Sequence, residues 1–157
     1  QRQMCIRDST KNSAVFKSDE YTIYTRLIEG KYFAYQKMFT EGEINTCASR
    51  TALIGAMTRA KMCTEEKQPA VFQIEDDVLN ISIRDKLADY QEQVPLQETV
   101  CKSIRLGFDS RLVLETLKAF TCDNIALGFT SPRTPMIVEA EDSDMKAMVL
   151  PVAIREA

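Results

Sequence analysis

Residues 104–120 read IRLGFDSRLVLETLKAF, and their reading decides the architecture. The first five alternate, with Ile104, Leu106 and Phe108 on one side, the period-two pattern of a strand with one buried face. Asp109 and Ser110 follow, residue types whose side chains accept from the free N–H groups at a helix start. The period then changes to that of a helix. Val113, Leu117 and Phe120 share one face while Arg111 and Lys118 lie opposite.

The same succession occurs upstream. EINTCA, residues 43–48, predicts a short strand, and Ser49 is placed to cap a helix over SRTALIGAMTRAKMC, residues 49–63. On that helix Leu53, Met57 and Ala60 share a face with Ala56 beside them, whereas Arg59 and Met62 point away. AVFQI (70–74) and VLNISI (78–83) predict a hairpin about EDD (75–77), with Leu79, Ile81 and Ile83 inward. A strand over ETVCKSIRLGF (98–108) completes the set. After the second helix, NIALGFT, PMIVEA and MKAMVLPVAI predict three more strands, with Ile125, Leu127 and Phe129 alternating. The order from Glu43 is close to one β-α-β-β-β unit used twice. Two short helices cover only part of a sheet, so the expected fold is α+β, with both helices on one face of a continuous antiparallel sheet.

Upstream, SAVFKSDEYTIYTRLIEG (13–30) predicts two strands around a KSDE turn. A lone hairpin is marginal in water, so this one is expected to belong to a larger sheet. KYFAYQKMFTEGE (31–43) reads as a connector. Residues 1–11 show no periodicity and are expected to be a non-native or disordered leader. The expected organisation is therefore that leader, a hairpin and connector over 12–38, and the main domain over 39–157.

Composition narrows the chemistry. The 157 residues contain no histidine, which removes the commonest general base, metal ligand and partner of a nucleophilic Ser or Cys. The five glycines are isolated, so no glycine-rich phosphate loop exists. Cys5, Cys47, Cys63, Cys101 and Cys122 are widely spaced and odd in number, a pattern of reduced thiols in a cytoplasmic protein. Glu75, Asp76 and Asp77 could hold a hard cation, but acidic residues favour tight turns for backbone reasons. Cys63 or Cys101 as nucleophile lacks a base. The expectation is a protein that is not an enzyme and uses no cofactor or metal. The net charge of −3 does not announce a nucleic-acid binder, although such a sum hides any local basic face.

Four collinear stretches resemble the bacterial DNA polymerase III beta subunit, the sliding clamp. YTRLIEGKYFAY (24–35) is similar to the segment joining the family's second and third domains. SRTALIGAMTRAKMCTEEK (49–67) resembles its R-x-x-L-x-x-A-x-x-R helix. IRLGFDSRLVLETLKAF looks like its second helix, and MVLPVAI (148–154) like its C-terminal strand. The resemblance implies a DNA-clamp fold, with 12–38 ending the second clamp domain and 39–157 forming the third. It further implies a processivity factor of the replicative polymerase. Two full-length chains would encircle double-stranded DNA without reading its sequence, as a homodimer closed through a first domain absent from this sequence.

The resemblance also assigns surfaces. Arg50, Arg59, Lys61, Arg111 and Lys118, on the two helices, would face DNA phosphates; the plain alternative is a solvated helix surface. A hydrophobic groove between the second and third domains would dock peptides of the polymerase, the clamp loader and repair proteins. Its residues here would be Phe33 and Met38 from the connector, Asp109 and Leu112 from the second helix start, and Arg133 and Met136 near the penultimate strand. Met148, Val149, Leu150, Pro151 and Val152 would come from the tail, Leu150, Pro151 and Val152 above all. Ordinary core packing is the alternative for Met148 and Val149. The dimer interface would use Met62 and Cys63 with the acidic edge of Asp89 and Glu92. Phe33, Ala34, Thr40, Asp109 and Ala153 depart from the family pattern, and Arg155–Ala157 extend past its usual end. These departures keep a second reading open, a clamp-derived peptide-binding adaptor without a ring.

Overall fold

The structure, a computed structural model, describes residues 6–9, 12–63, 68–84, 89–140 and 143–154. The chain divides into two units, Gln1–Tyr35 and Gln36–Ala157.

In the first unit β1 (Ile6–Ser9), β2 (Ser13–Lys17) and β3 (Thr22–Arg26) form an antiparallel sheet in that order. The Ser18 N–H donates to the Tyr21 carbonyl at 2.9 Å and closes the expected turn. Ile6–Ser9, left outside the fold by the sequence reading, pair with Ala14–Lys17. Four residues are too few to show a period, so only the partner strand reveals them. The rest of that leader lies outside the described residues.

The second unit holds the main domain. It runs β4 (Ile44–Ser49), α1 (Arg50–Met62), β5 (Ala70–Arg84), β6 (Asp89–Phe108), α2 (Ser110–Ala119), β7 (Asn124–Phe129), β8 (Met136–Ala140) and β9 (Ser143–Val149). The strands make one antiparallel six-stranded sheet ordered β5-β6-β4-β7-β8-β9, and the two helices pack on each other and against it. Both helix starts form as their sequences predict. The Ser49 side chain accepts from the Ala52 N–H at 3.4 Å, and the Asp109 carboxylate accepts from the Arg111 N–H at 2.8 Å. Arg50 ties α1 to the loop before β7, its N–H donating to the Asp123 carbonyl at 2.9 Å and its Nε to the Cys122 carbonyl at 2.6 Å.

The core follows the predicted periods. Leu53, Ala56, Met57 and Ala60 of α1 and Val113 and Leu117 of α2 are buried against Leu79, Ile81, Ile83, Ile104, Leu106, Phe108, Ile125, Leu127 and Phe129. Each Val, Leu, Ile, Phe or Met side chain among them contributes roughly 1.5–3 kcal/mol on burial. The rings of Phe72 and Phe108 meet edge to face with centroids 5.2 Å apart.

Three strand expectations are corrected. Residues 75–77 are not a hairpin turn: β5 is one strand, interrupted by irregular pairing between Ile74 and Val78, where Asp76 adopts φ 52°. An acidic tripeptide looks like a turn in sequence, but here it is a bend within a ladder. β6 begins at Asp89 instead of Glu98 and pairs back along β5 from Arg84. Pro95 falls beside the irregular stretch, opposite Val78, where the ladder is already broken and its missing N–H costs least. Finally, β9 stops at Val149; beyond Leu150 and Pro151, Val152 makes a single bridge to Gly107 at the end of β6. Among the described residues no helix is long and apolar enough to cross a membrane.

Candidate functional site

The tail is an apolar surface laid on the sheet. β9 is exposed or half-buried until its last residue, Val149, which is 3% exposed, and Met136 opposite it on β8 is 1% exposed. Leu150 and Val152 then emerge at 58% and 43% exposure, because Pro151 ends the ladder and the chain turns toward Gly107. α2, which packs on β9, carries Leu112 on its first turn, 52% exposed. The first turn of that helix is set by the Asp109 cap, and Asp109 also lies 3.6 Å from the Arg111 guanidinium.

Of the expected groove residues, Leu112, Arg133, Leu150 and Val152 are exposed, and Met38, Asp109, Met148 and Pro151 are half-buried. Met136 and Val149 are in the core, so they support the surface from beneath and do not line it; strand alternation places them on the inward side. Phe33 lies in the first unit, stacked on Tyr32 with centroids 5.2 Å apart and edge-on to Tyr35 at 6.2 Å.

The basic and acidic candidates do not stay apart. Arg59, expected to face DNA, reaches Glu92, expected at a subunit interface. The Tyr90 hydroxyl lies 2.9 Å from the Ala56 carbonyl and within hydrogen-bond reach of the Glu92 carboxylate, two acceptors that share its single proton. The Arg59 hydrogen bonds hold the Glu92 carboxyl below the usual carboxylate range, and the same contact raises the arginine's own value. Burial, then the bond to Glu92, pushes the Tyr90 phenol up. Lys61, Arg111 and Lys118 are exposed, and Arg50 is half-buried with its Nε turned to the Cys122 carbonyl. Met62, at the end of α1, is 82% exposed, Cys63 is half-buried and Asp89 is exposed.

Two features escaped the sequence reading. Tyr90 carried a signal, since it shares a strand face with Glu92. A trough of about 730 Å³ lies on the face of β5 and β6 opposite the core, bordered by Val71, Gln73, Asn80, Gln93, Arg105 and Ile154. Of the expected site residues, only Asp89 borders it, so this concavity is separate from the exposed Leu112 and Leu150. Among the described residues no group of three or more acidic or thiol side chains is placed to hold a metal.

Comparison with known proteins agrees with this fold. The family model described as DNA polymerase III beta subunit, C-terminal domain, matches residues 39–153. The beta sliding clamp of Halalkalibacterium halodurans is 25% identical over 140 residues, covering 86% of this chain and 37% of the relative. That of Staphylococcus aureus is 25% identical over 146 residues, covering 90% and 39%. The chain thus spans about two fifths of the length of these curated relatives. Among solved structures, the sliding clamp of Caulobacter crescentus superposes with a TM-score of 0.87 at 13% identity, covering 94% of this chain and 40% of that one. The Pseudomonas aeruginosa subunit gives 0.86 at 19%, covering 94% and 42%.

Proposed function

Because the chain belongs to the DNA polymerase III beta subunit family, through that family's C-terminal domain, we propose that it is part of a sliding clamp, a processivity factor that closes around duplex DNA as a dimeric ring. In this reading residues 39–157 are the third clamp domain and 12–38 the end of the second. The tail surface docks short peptides of the polymerase, the clamp loader and repair proteins. The protein tethers its partners and catalyses nothing, and it works in the cytoplasm.

The observation that carries the docking role is the exposure of Leu112, Leu150 and Val152 beside a core that buries its other branched side chains well. Exposed aliphatic side chains on a capped helix start and on a tail bridged to the end of β6 present apolar area, which is what a short peptide needs from its site. Met148, Pro151, Asp109, Arg133 and Met38 are the rim and floor. Phosphate contacts fall to Arg50, Arg59, Lys61, Arg111 and Lys118, the arginines among them also contacting protein groups. Met62 and Cys63 give an apolar contact for the second subunit, edged by Asp89 and Glu92.

Calorimetry with the C-terminal peptide of a replicative polymerase tests the docking reading. Leu150→Ala combined with Val152→Ala should abolish binding while leaving the unfolding midpoint in place, since both side chains are exposed. Unchanged affinity sinks the assignment. On the DNA side, Lys118→Ala in the ring should lower the salt dependence of duplex binding by about one counterion.

A further inference from the structure

Gly107 sits at a position where β6 should show an ordinary solvent-facing side chain. Leu106 and Phe108 on either side point into the core, and the preceding outward residues Ser103 and Arg105 are exposed. Gly107 is nevertheless buried, because the C-terminal tail crosses it. The Val152 N–H donates to the Gly107 carbonyl at 2.7 Å. A Cβ built on Gly107 would fall 2.7 Å from the Val152 carbonyl oxygen, 3.0 Å from Ile154 Cγ1 and 3.2 Å from Pro69 Cβ. The first of these contacts is with backbone, which cannot rotate aside as a side chain can. Any residue with a side chain therefore forces the tail or the strand to shift.

The crossing also sets what the tail displays. Beyond Gly107 the chain passes through Phe108, anchored in the core, to the Asp109 cap and on to Leu112. Val152 is bonded to that same strand end, and half-buried Ile154 rests against Gly107 and borders the trough beside Val71. Leu112 and the Leu150–Val152 segment are thus referred to one rigid point. We propose that Gly107 is a positioning residue of the peptide-docking surface: its missing side chain is the space through which the tail crosses β6, where the Val152 bond and the Ile154 side chain clip it. The inference rests on the docking function proposed above and names what holds that surface in shape. An unclipped tail would have to be ordered by the incoming peptide, and that ordering is subtracted from affinity.

The test uses the whole chain, ¹⁵N-labelled, and the C-terminal peptide of a replicative polymerase. Amide exchange at Val152 and calorimetric affinity are measured for wild type, Gly107→Ala and Ile154→Ala, with Leu127 in β7 reporting on the core. Gly107→Ala should speed exchange at Val152 and weaken the peptide, each by about tenfold or more, with Leu127 protection unchanged. If Leu127 also loses protection, Ile154→Ala decides, since it removes the anchor without crowding β6; it should move both readouts in the same direction. Wild type and both variants binding equally overturns the proposal alone. No binding by the wild type overturns the docking reading and the proposal together, and the Val152 exchange still tells whether Gly107 holds the tail.

Discussion

The guanidinium of Arg59 closes on both oxygens of Glu92, Nε to Oε2 at 2.8 Å and Nη2 to Oε1 at 2.5 Å. This fork joins the last turns of α1 to the start of β6, and Tyr90 braces it from the side, its hydroxyl proton shared between Glu92 and the Ala56 carbonyl. A charge that the helix pattern assigns to an outer face is thereby neutralised within the domain.

Glu92→Gln should cost stability at neutral pH and nothing in acid. Glu92's carboxyl is held below its ordinary value by Arg59, so its contribution is present above the unfolded value of about 4.3. That contribution is lost as pH falls through the lower folded value. The pair is solvent-screened, so the difference at pH 7 should be small beside the cost of a core truncation. Urea titrations of both proteins over a pH series check it. On the alkaline side the sign reverses for Tyr90. Its raised value makes the neutral phenol part of the fold, so its contribution holds below about pH 10 and is lost as pH climbs through the folded value.

Asp76 has φ 52°, in the left-handed region, within the irregular part of β5. Asp76→Gly should be neutral or slightly stabilising. Asp76→Val should destabilise by about 1–2 kcal/mol, because a branched Cβ clashes with the backbone there. Chemical denaturation distinguishes them, and equal stability of the two variants would contradict the backbone argument.

The Asp109 carboxylate caps α2 through the Arg111 N–H. Asp109→Asn keeps an oxygen in that place and should leave stability nearly unchanged, whereas Asp109→Ala should cost about 1 kcal/mol. The midpoint of thermal unfolding, followed by circular dichroism, reads both.

Phe108 is fully buried and edge-on to Phe72, so Phe108→Ala should destabilise by about 3–5 kcal/mol. Phe108→Leu should cost clearly less, because most of the volume remains. Urea unfolding gives both values.

The sequence by itself determined the elements whose pattern is local. The alternation at Ile104, Leu106 and Phe108, the caps Ser49 and Asp109, and the helix faces carrying Met57 and Leu117 each repeat within a few residues. The order of those elements gave the α+β class, and the four collinear stretches gave the family. Long-range pairing stayed out of reach. Whether 75–77 turn back or merely bend depends on β6, and whether 89–97 form a strand depends on β5 and β4. The same holds for Ile6–Ser9, whose strand exists only against β2. Only the tertiary structure decided which tail residues are core and which are surface. Val149 goes inward as the last residue of the ladder while Leu150 lies exposed beyond it, and the tail settles on Gly107 because that residue, on a strand far upstream, has no side chain to hold it off. A period can be read along one chain segment, but a crossing exists only between two.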